Sequence, residues 1–190
     1  MRLPILAAAA LAVLAAPAAA QTPPNAATRM QAEREAMARV AYMDGVWRGP
    51  AWSLTPMGRR EVVQTERIGP LLDGGVKVME GHGYLPDGST GFNALGILSF
   101  DPGTGAYTLH SYAQGYAGDF PLRITDTGYV WEVPAGPGAI IRYTATIGNG
   151  HWREVGERIV GTAAPMQIFE MNLTRVGDSA WPAGGAIPPR

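Results

Sequence analysis

From residue 46 onward, apolar and polar positions alternate along the chain in short runs rich in β-branched and aromatic residues. Clusters of Gly, Pro, Asp and Asn interrupt them about every ten residues. A period of two places successive side chains on opposite faces of a sheet, so strands are predicted at 46–54, 60–69, 75–85, 92–101, 105–114, 119–125, 128–134, 138–147, 151–160 and 166–175. The links between them carry explicit turn chemistry, among them Pro56-Met57-Gly58, Pro86-Asp87-Gly88, Asp101-Pro102-Gly103 and Gly148-Asn149-Gly150. Links this short join antiparallel neighbours and leave no room for crossover helices. Before Gly45 the period is helical. Met30, Met37, Val40 and Ala41 recur at helical spacing over 29–42, Thr28 and Gln31 fit a capping box, Glu35 stands four before Arg39, and Asp44-Gly45 ends the run. The expected fold is therefore all-β: an antiparallel up-and-down barrel of eight to ten strands, with one N-terminal α-helix across one end. A meander of this kind removes its edges by closing on itself, whereas a sandwich would show longer Greek-key connections.

The first residues change the picture of where this barrel works. Arg2, the apolar run Leu3 to Ala16 and the small-x-small sequence Ala18-Ala19-Ala20 have the form of a secretory signal peptide over 1–20. The apolar run is shorter than the ~20 residues a spanning helix needs, so no membrane span is expected after cleavage, and the compartment is periplasmic or extracellular. Residues 21–28 read as a flexible leader, 29–176 as one helix-plus-barrel domain, and 177–190, with Trp181-Pro182 and Pro188-Pro189, as an irregular tail. The chain has no Cys, which excludes disulfides, thiolate metal sites, a Cys nucleophile and a lipid-modified Cys. Its net charge of −1, which becomes −2 if Arg2 leaves with the signal, and its single Lys, Lys77, exclude a basic footprint for nucleic acid.

Several segments carry a resemblance. Met43-Asp44-Gly45-Val46-Trp47-Arg48-Gly49 resembles the Gly-x-Trp-x-Gly sequence that opens strand one in lipocalin-like and fatty-acid-binding-protein-like barrels of the calycin type. Ile68-Gly69-Pro70-Leu71-Leu72-Asp73-Gly74, Ala94 to Asp101, Tyr107-Thr108-Leu109 and the closing Phe169-Glu170-Met171-Asn172-Leu173-Thr174 are similar to a family of secreted bacterial lipocalin-like proteins of unknown function. The resemblance spans about residues 40–176 and implies the fold without an activity. More distantly, the chain is similar to nitrobindin-type barrels, which hold haem through a His on the last strand. Here that strand reads Met166-Gln167-Ile168-Phe169-Glu170-Met171, with no His. Met166 and Met171 read as core filler, and no cofactor is expected.

Candidate chemistry is sparse. Trp47, flanked at alternate positions by Gly49, Ala51 and Ser53, suits a structural plug at the closed end of a barrel. His82, His110 and His151 fall on three different strands without metal-ligand spacing, so no metal site is expected. Parity offers one polar cluster. If the faces bearing Glu80, His82, Arg142 and Glu154 line the interior, these residues would orient the polar head of a small hydrophobic or amphipathic ligand, with Arg142 as its anion partner. The alternative is that these faces meet water, and a register change of one residue exchanges the two. Tyr112, with Tyr107 and Tyr116, either contacts a ligand at the barrel mouth or fills an outer face. No Gly-x-Ser-x-Gly, Walker, Gly-x-Gly-x-x-Gly or His-Glu-x-x-His motif is present, and no catalytic residue is assigned. A small-ligand carrier leads, beside a filled structural or envelope-interaction barrel and an enzyme using Glu80 and His82 as acid and base.

Overall fold

The computed structural model describes residues 25–182, and the signal-peptide assignment to 1–20 lies outside them. Helix α1 (Ala26–Ala38) opens the fold. It starts earlier than the spacing predicted, because Asn25 and not Thr28 is its cap: the Asn25 side chain accepts the backbone N–H of Thr28 at 3.0 Å. It also ends earlier, and the remaining turn to Met43 is a short 3₁₀ segment, Ala41–Met43. Among the described residues no helix is long and apolar enough to cross a membrane.

Ten strands follow: β1 (Gly45–Thr55), β2 (Gly58–Leu71), β3 (Val76–Tyr84), β4 (Thr90–Asp101), β5 (Ala106–Ala113), β6 (Tyr116–Thr125), β7 (Gly128–Pro134), β8 (Ala139–Gly148), β9 (His151–Val160) and β10 (Met166–Gly177). Each pairs antiparallel with the next, and β10 pairs with β1, so the sheet closes into a barrel without edges. The closing seam demands a glycine. A Cβ on Gly49 would lie 2.0 Å from the carbonyl oxygen of Asn172 on β10, so the two backbones approach as only glycine permits.

The two ends of the barrel differ. At one end Met37, Val40 and Met43 from the helical segment cover Trp47, Ile68 and Leu98, all fully buried. Each such side chain contributes about 1.5–3 kcal/mol on leaving water. Trp47 plugs this end, packs edge-on against Trp152 with ring centroids 5.7 Å apart, and donates its indole N–H to the Met43 carbonyl at 2.9 Å. Lys77 is sealed here too, 2% exposed, its ammonium donating to both oxygens of Asp44 at 2.7 and 2.8 Å. The start of the expected irregular tail is ordered against the wall: a Cβ on Gly69 would meet the Trp181 carbonyl at 1.9 Å, and the Arg67 guanidinium lies 4.7 Å from the Trp181 ring. Residues 183–190 lie outside the described region.

Candidate functional site

Strand pairing transfers the inside–outside assignment around the barrel. Buried Trp47 faces inward; opposite the same wall positions stand Glu66 on β2 and then Gly81 on β3, with Ile68 opposite Met79. The inward set on β3 is thus Lys77, Met79, Gly81 and Gly83. Glu80 and His82 project outside, as do Arg142, opposite Glu132, and Tyr112, opposite Leu95. Of the polar residues predicted from parity, Glu154 alone stands in the interior.

The outward residues have ordinary surface partners. Arg67 donates to Glu80 through Nε at 2.9 Å, and burial of the Glu80 carboxyl is outweighed by Arg67 and His82, which hold its pKa below the usual carboxylate range. His82 stacks on Tyr84 with centroids 5.9 Å apart, and its Nδ1 is buried without a partner. Arg142 donates to Glu132 at 2.7 Å across the outer face. Tyr112 is 54% exposed and, with Asn93 and Tyr116, borders a shallow outer hollow of about 340 Å³. His151 is exposed, Met166 is exposed at the start of β10, and Met171 packs in the core beside Ala51.

Inside, a different polar group forms. Glu154, 5% exposed, accepts from the Tyr129 hydroxyl at 2.8 Å and from the Trp131 indole N–H at 2.9 Å. On β2, buried Gln64 donates its amide to Glu66 at 2.7 Å. Strand order β2–β1–β10–β9 brings these two carboxylates to neighbouring walls, near enough to repel each other. Burial raises the Glu66 pKa to about 8, with Gln64 opposing and Glu154 and Glu80 adding to the rise. Burial raises Glu154 as well, against the donors Trp131 and Tyr129 and a weaker pull from Trp152, whose own indole N–H has no partner within hydrogen-bonding distance. Tyr129 is held far above its normal pKa by burial and by Glu154, so it remains a donor at all ordinary pH. Near neutral pH, Glu66 is thus largely a carboxylic acid able to donate.

The adjoining wall is aromatic. Beyond the polar floor, on the side away from α1, the inward positions include Phe92, Phe120, Trp131, Tyr143 and Phe169. Trp131 stacks on Tyr143 with centroids 4.6 Å apart, and Phe120 leans on Trp131 at 5.5 Å. All five keep partial solvent access, as does Glu66; near α1, Phe100, Tyr107 and Ile124 do too, while Trp47, Ile68 and Leu98 are fully buried. The helical segment covers one end of the barrel, and the other ends in strand-connecting turns. Inward alternation also places Arg60 and Arg158 at the open mouth. A separate groove of about 590 Å³ straddles the β1–β2 wall near that mouth, lined by Trp52, Val63, Tyr84 and Glu170 among others; neither Glu66 nor Glu154 borders it.

Glu154 was legible from strand parity, but Glu66 went unread in the sequence because β3 misleads. Its outward face holds Val76 and Val78, and its inward face two glycines and a lysine. The signal available was Gly81 and Gly83 themselves: a Cβ on Gly81 would stand 2.8 Å from the Glu66 carboxylate, and one on Gly83 3.0 Å from the Gln64 amide oxygen. Paired glycines at i and i+2 marked the face on which neighbouring side chains need room.

No protein-family model matches the chain, and no curated protein matches it. Among solved structures, the crystal structure of Rv2717c from M. tuberculosis is similar, with a TM-score of 0.56 at 12% identity over 74% of this chain and 96% of that one. At that identity the similarity establishes the fold.

Proposed function

We propose that this protein binds a small, partly apolar molecule in the open half of its barrel. The apolar body would lie against Phe120, Trp131, Tyr143 and Phe169, and the polar end would meet the Gln64–Glu66–Glu154 floor. The observation that carries this reading is the make-up of the interior: the partly exposed inward aromatics Phe120, Trp131, Tyr143 and Phe169 stand beside the polar group of Gln64, Glu66 and Glu154, which Trp131 joins by a hydrogen bond. Apolar walls with a few convergent polar groups are the usual make-up of ligand pockets. Glu154 and the protonated Glu66 supply an acceptor and a donor there, a pair that fixes orientation. The proposal includes action outside the cytoplasm as a secreted lipocalin-like protein, which rests on the Arg2-to-Ala20 pattern and on the sequence resemblance.

A filled structural barrel is the second reading, and one observation favours it. Several inward glycines have their space taken by neighbours, Gly118 by Phe120 and Gly156 by Tyr143 and Phe169, which helps to fill the interior. Melting curves and tryptophan fluorescence against a panel of medium-chain fatty acids, alcohols and amines separate the two. Binding predicts a saturable shift with at least one class; no saturable shift with any of them supports the filled barrel. Fractionation of cells expressing the chain with Met1–Ala20 intact tests secretion, and retention of the full-length form in the cytoplasm would count against it.

A further inference from the structure

On the outer face of β4, β5 and β6, remote from the interior, three side chains stand in line. Ser99 Oγ lies 2.9 Å from His110 Nε2, and His110 Nδ1 lies 2.8 Å from Asp119 Oδ1. Strand pairing builds the arrangement: His110 is directly opposite Asp119 on one side and Ile97 on the other, and Ser99 is the next outward residue after Ile97. We propose that Ser99 is a nucleophile activated by His110 and Asp119, able to take an acyl or phosphonyl group from small activated electrophiles such as aryl esters.

The atoms dictate the roles. A carboxylate accepts only, so Asp119 holds the proton on Nδ1 and leaves Nε2 as the acceptor toward the Ser99 hydroxyl. A nucleophile, a base and a group that orients the base, each within hydrogen-bonding reach of the next, is the arrangement on which serine acyl transfer relies. With an ester, Ser99 Oγ bonds to the carbonyl carbon as its proton passes to His110 Nε2. The bond to the leaving oxygen then breaks, and that oxygen takes the proton from Nε2. Water reverses the sequence: it loses a proton to Nε2 and displaces Ser99, which regains it, releasing the carboxylic acid.

The surroundings set the substrate class. Leu95, Ile97 and Tyr112 share this outer face and give a flat apolar apron beside the serine. Backbone amides of these strands are engaged in the sheet ladders, so the site provides attack and general-base assistance without a ready pair of oxyanion donors. Good leaving groups and no deep specificity follow.

The test is to treat the full chain with a fluorophosphonate, where Ser99 Oγ bonds to phosphorus and fluoride leaves, and to locate the adduct by peptide mass spectrometry. The adduct is expected on Ser99, formed roughly 10²-fold more slowly in His110→Gln, the low end of what a general base contributes, and slowed in Asp119→Asn. All three residues lie on the surface of the wall, and unchanged circular dichroism certifies each variant. Absence of the adduct from Ser99, or equal labelling of Ser99 in wild type and His110→Gln, would overturn the proposal.

Discussion

Trp131 donates its indole N–H to Glu154 at 2.9 Å, so the aromatic wall of the open half and its polar floor are one hydrogen-bonded structure. Trp131→Phe keeps the ring and removes the donor, leaving a buried carboxylate oxygen short of a partner. The expected cost is about 1.5–3 kcal/mol in urea denaturation, the range for hydrogen bonds to charged groups. Tyr129→Phe removes the other donor and should fall in the same range. A loss below about 0.5 kcal/mol in both would mean Glu154 is not held as described.

Stability should depend on pH in the direction opposite to that of an ion-paired carboxylate. The folded-state pKa of Glu66 is raised from 4.5 to about 8, so the native state holds its proton more tightly than the unfolded chain. The stability from this proton is fully present below pH 4.5 and is lost as pH rises through about 8. Glu66 keeps partial solvent access, so the expected loss is about 2 kcal/mol, less than the full shift would give. Denaturation midpoints measured across that window should fall in the wild type and change less in Glu66→Gln. Equal slopes in the two proteins would contradict the assignment.

Two glycines on inward faces should respond differently to alanine. Gly49→Ala drives a methyl group into the Asn172 backbone carbonyl at 2.0 Å, where β1 and β10 close the barrel. Loss of the cooperative melt, or destabilisation beyond about 3 kcal/mol, is expected. Gly81→Ala meets only the Glu66 carboxylate at 2.8 Å, the free end of a side chain that can turn aside. It should melt near the wild type and show an altered Glu66 titration by NMR.

Lys77 and Asp44 tie the β3 wall to the segment entering β1 at the sealed end. Lys77→Ala removes a buried ammonium and leaves the 30% exposed Asp44 without its partner; the expected cost is about 2 kcal/mol, within the range for hydrogen bonds to charged groups. Burial of the Lys77 ammonium shields its side of the pair from counterions, so most of the loss should persist in molar salt; a loss that disappears with salt would point to a surface pair.

The strands were legible because alternation and turn chemistry agree along the chain: ten predicted strands match ten observed, with ends displaced by three residues or fewer. The barrel's faces were harder to read. Val78 is outward yet 6% exposed; it stands opposite Gly69, against which Trp181 packs, and that contact comes from a segment with no periodicity of its own. Glu66 is inward amid Arg59, Arg60, Glu61 and Arg67, a run that reads as solvated surface. Burial of charge depends on which strands become neighbours, and β2 meets β9 only through β1 and β10. The pairing of Ser99 with His110 and Asp119 likewise arises from register between three strands, with no local motif to announce it.

The central claim is that the open half of the barrel holds a ligand, and filling that space tests it most directly. Ala94 faces inward at the level of Gly81 and Glu66, so Ala94→Trp should occupy the cavity without touching the sealed end. Titration with 1-anilinonaphthalene-8-sulfonate, followed by fluorescence, is predicted to give one saturable site in the wild type and none in Ala94→Trp, with both proteins melting cooperatively. Equal dye binding by the two folded proteins, or none by the wild type, would contradict a ligand site inside the barrel.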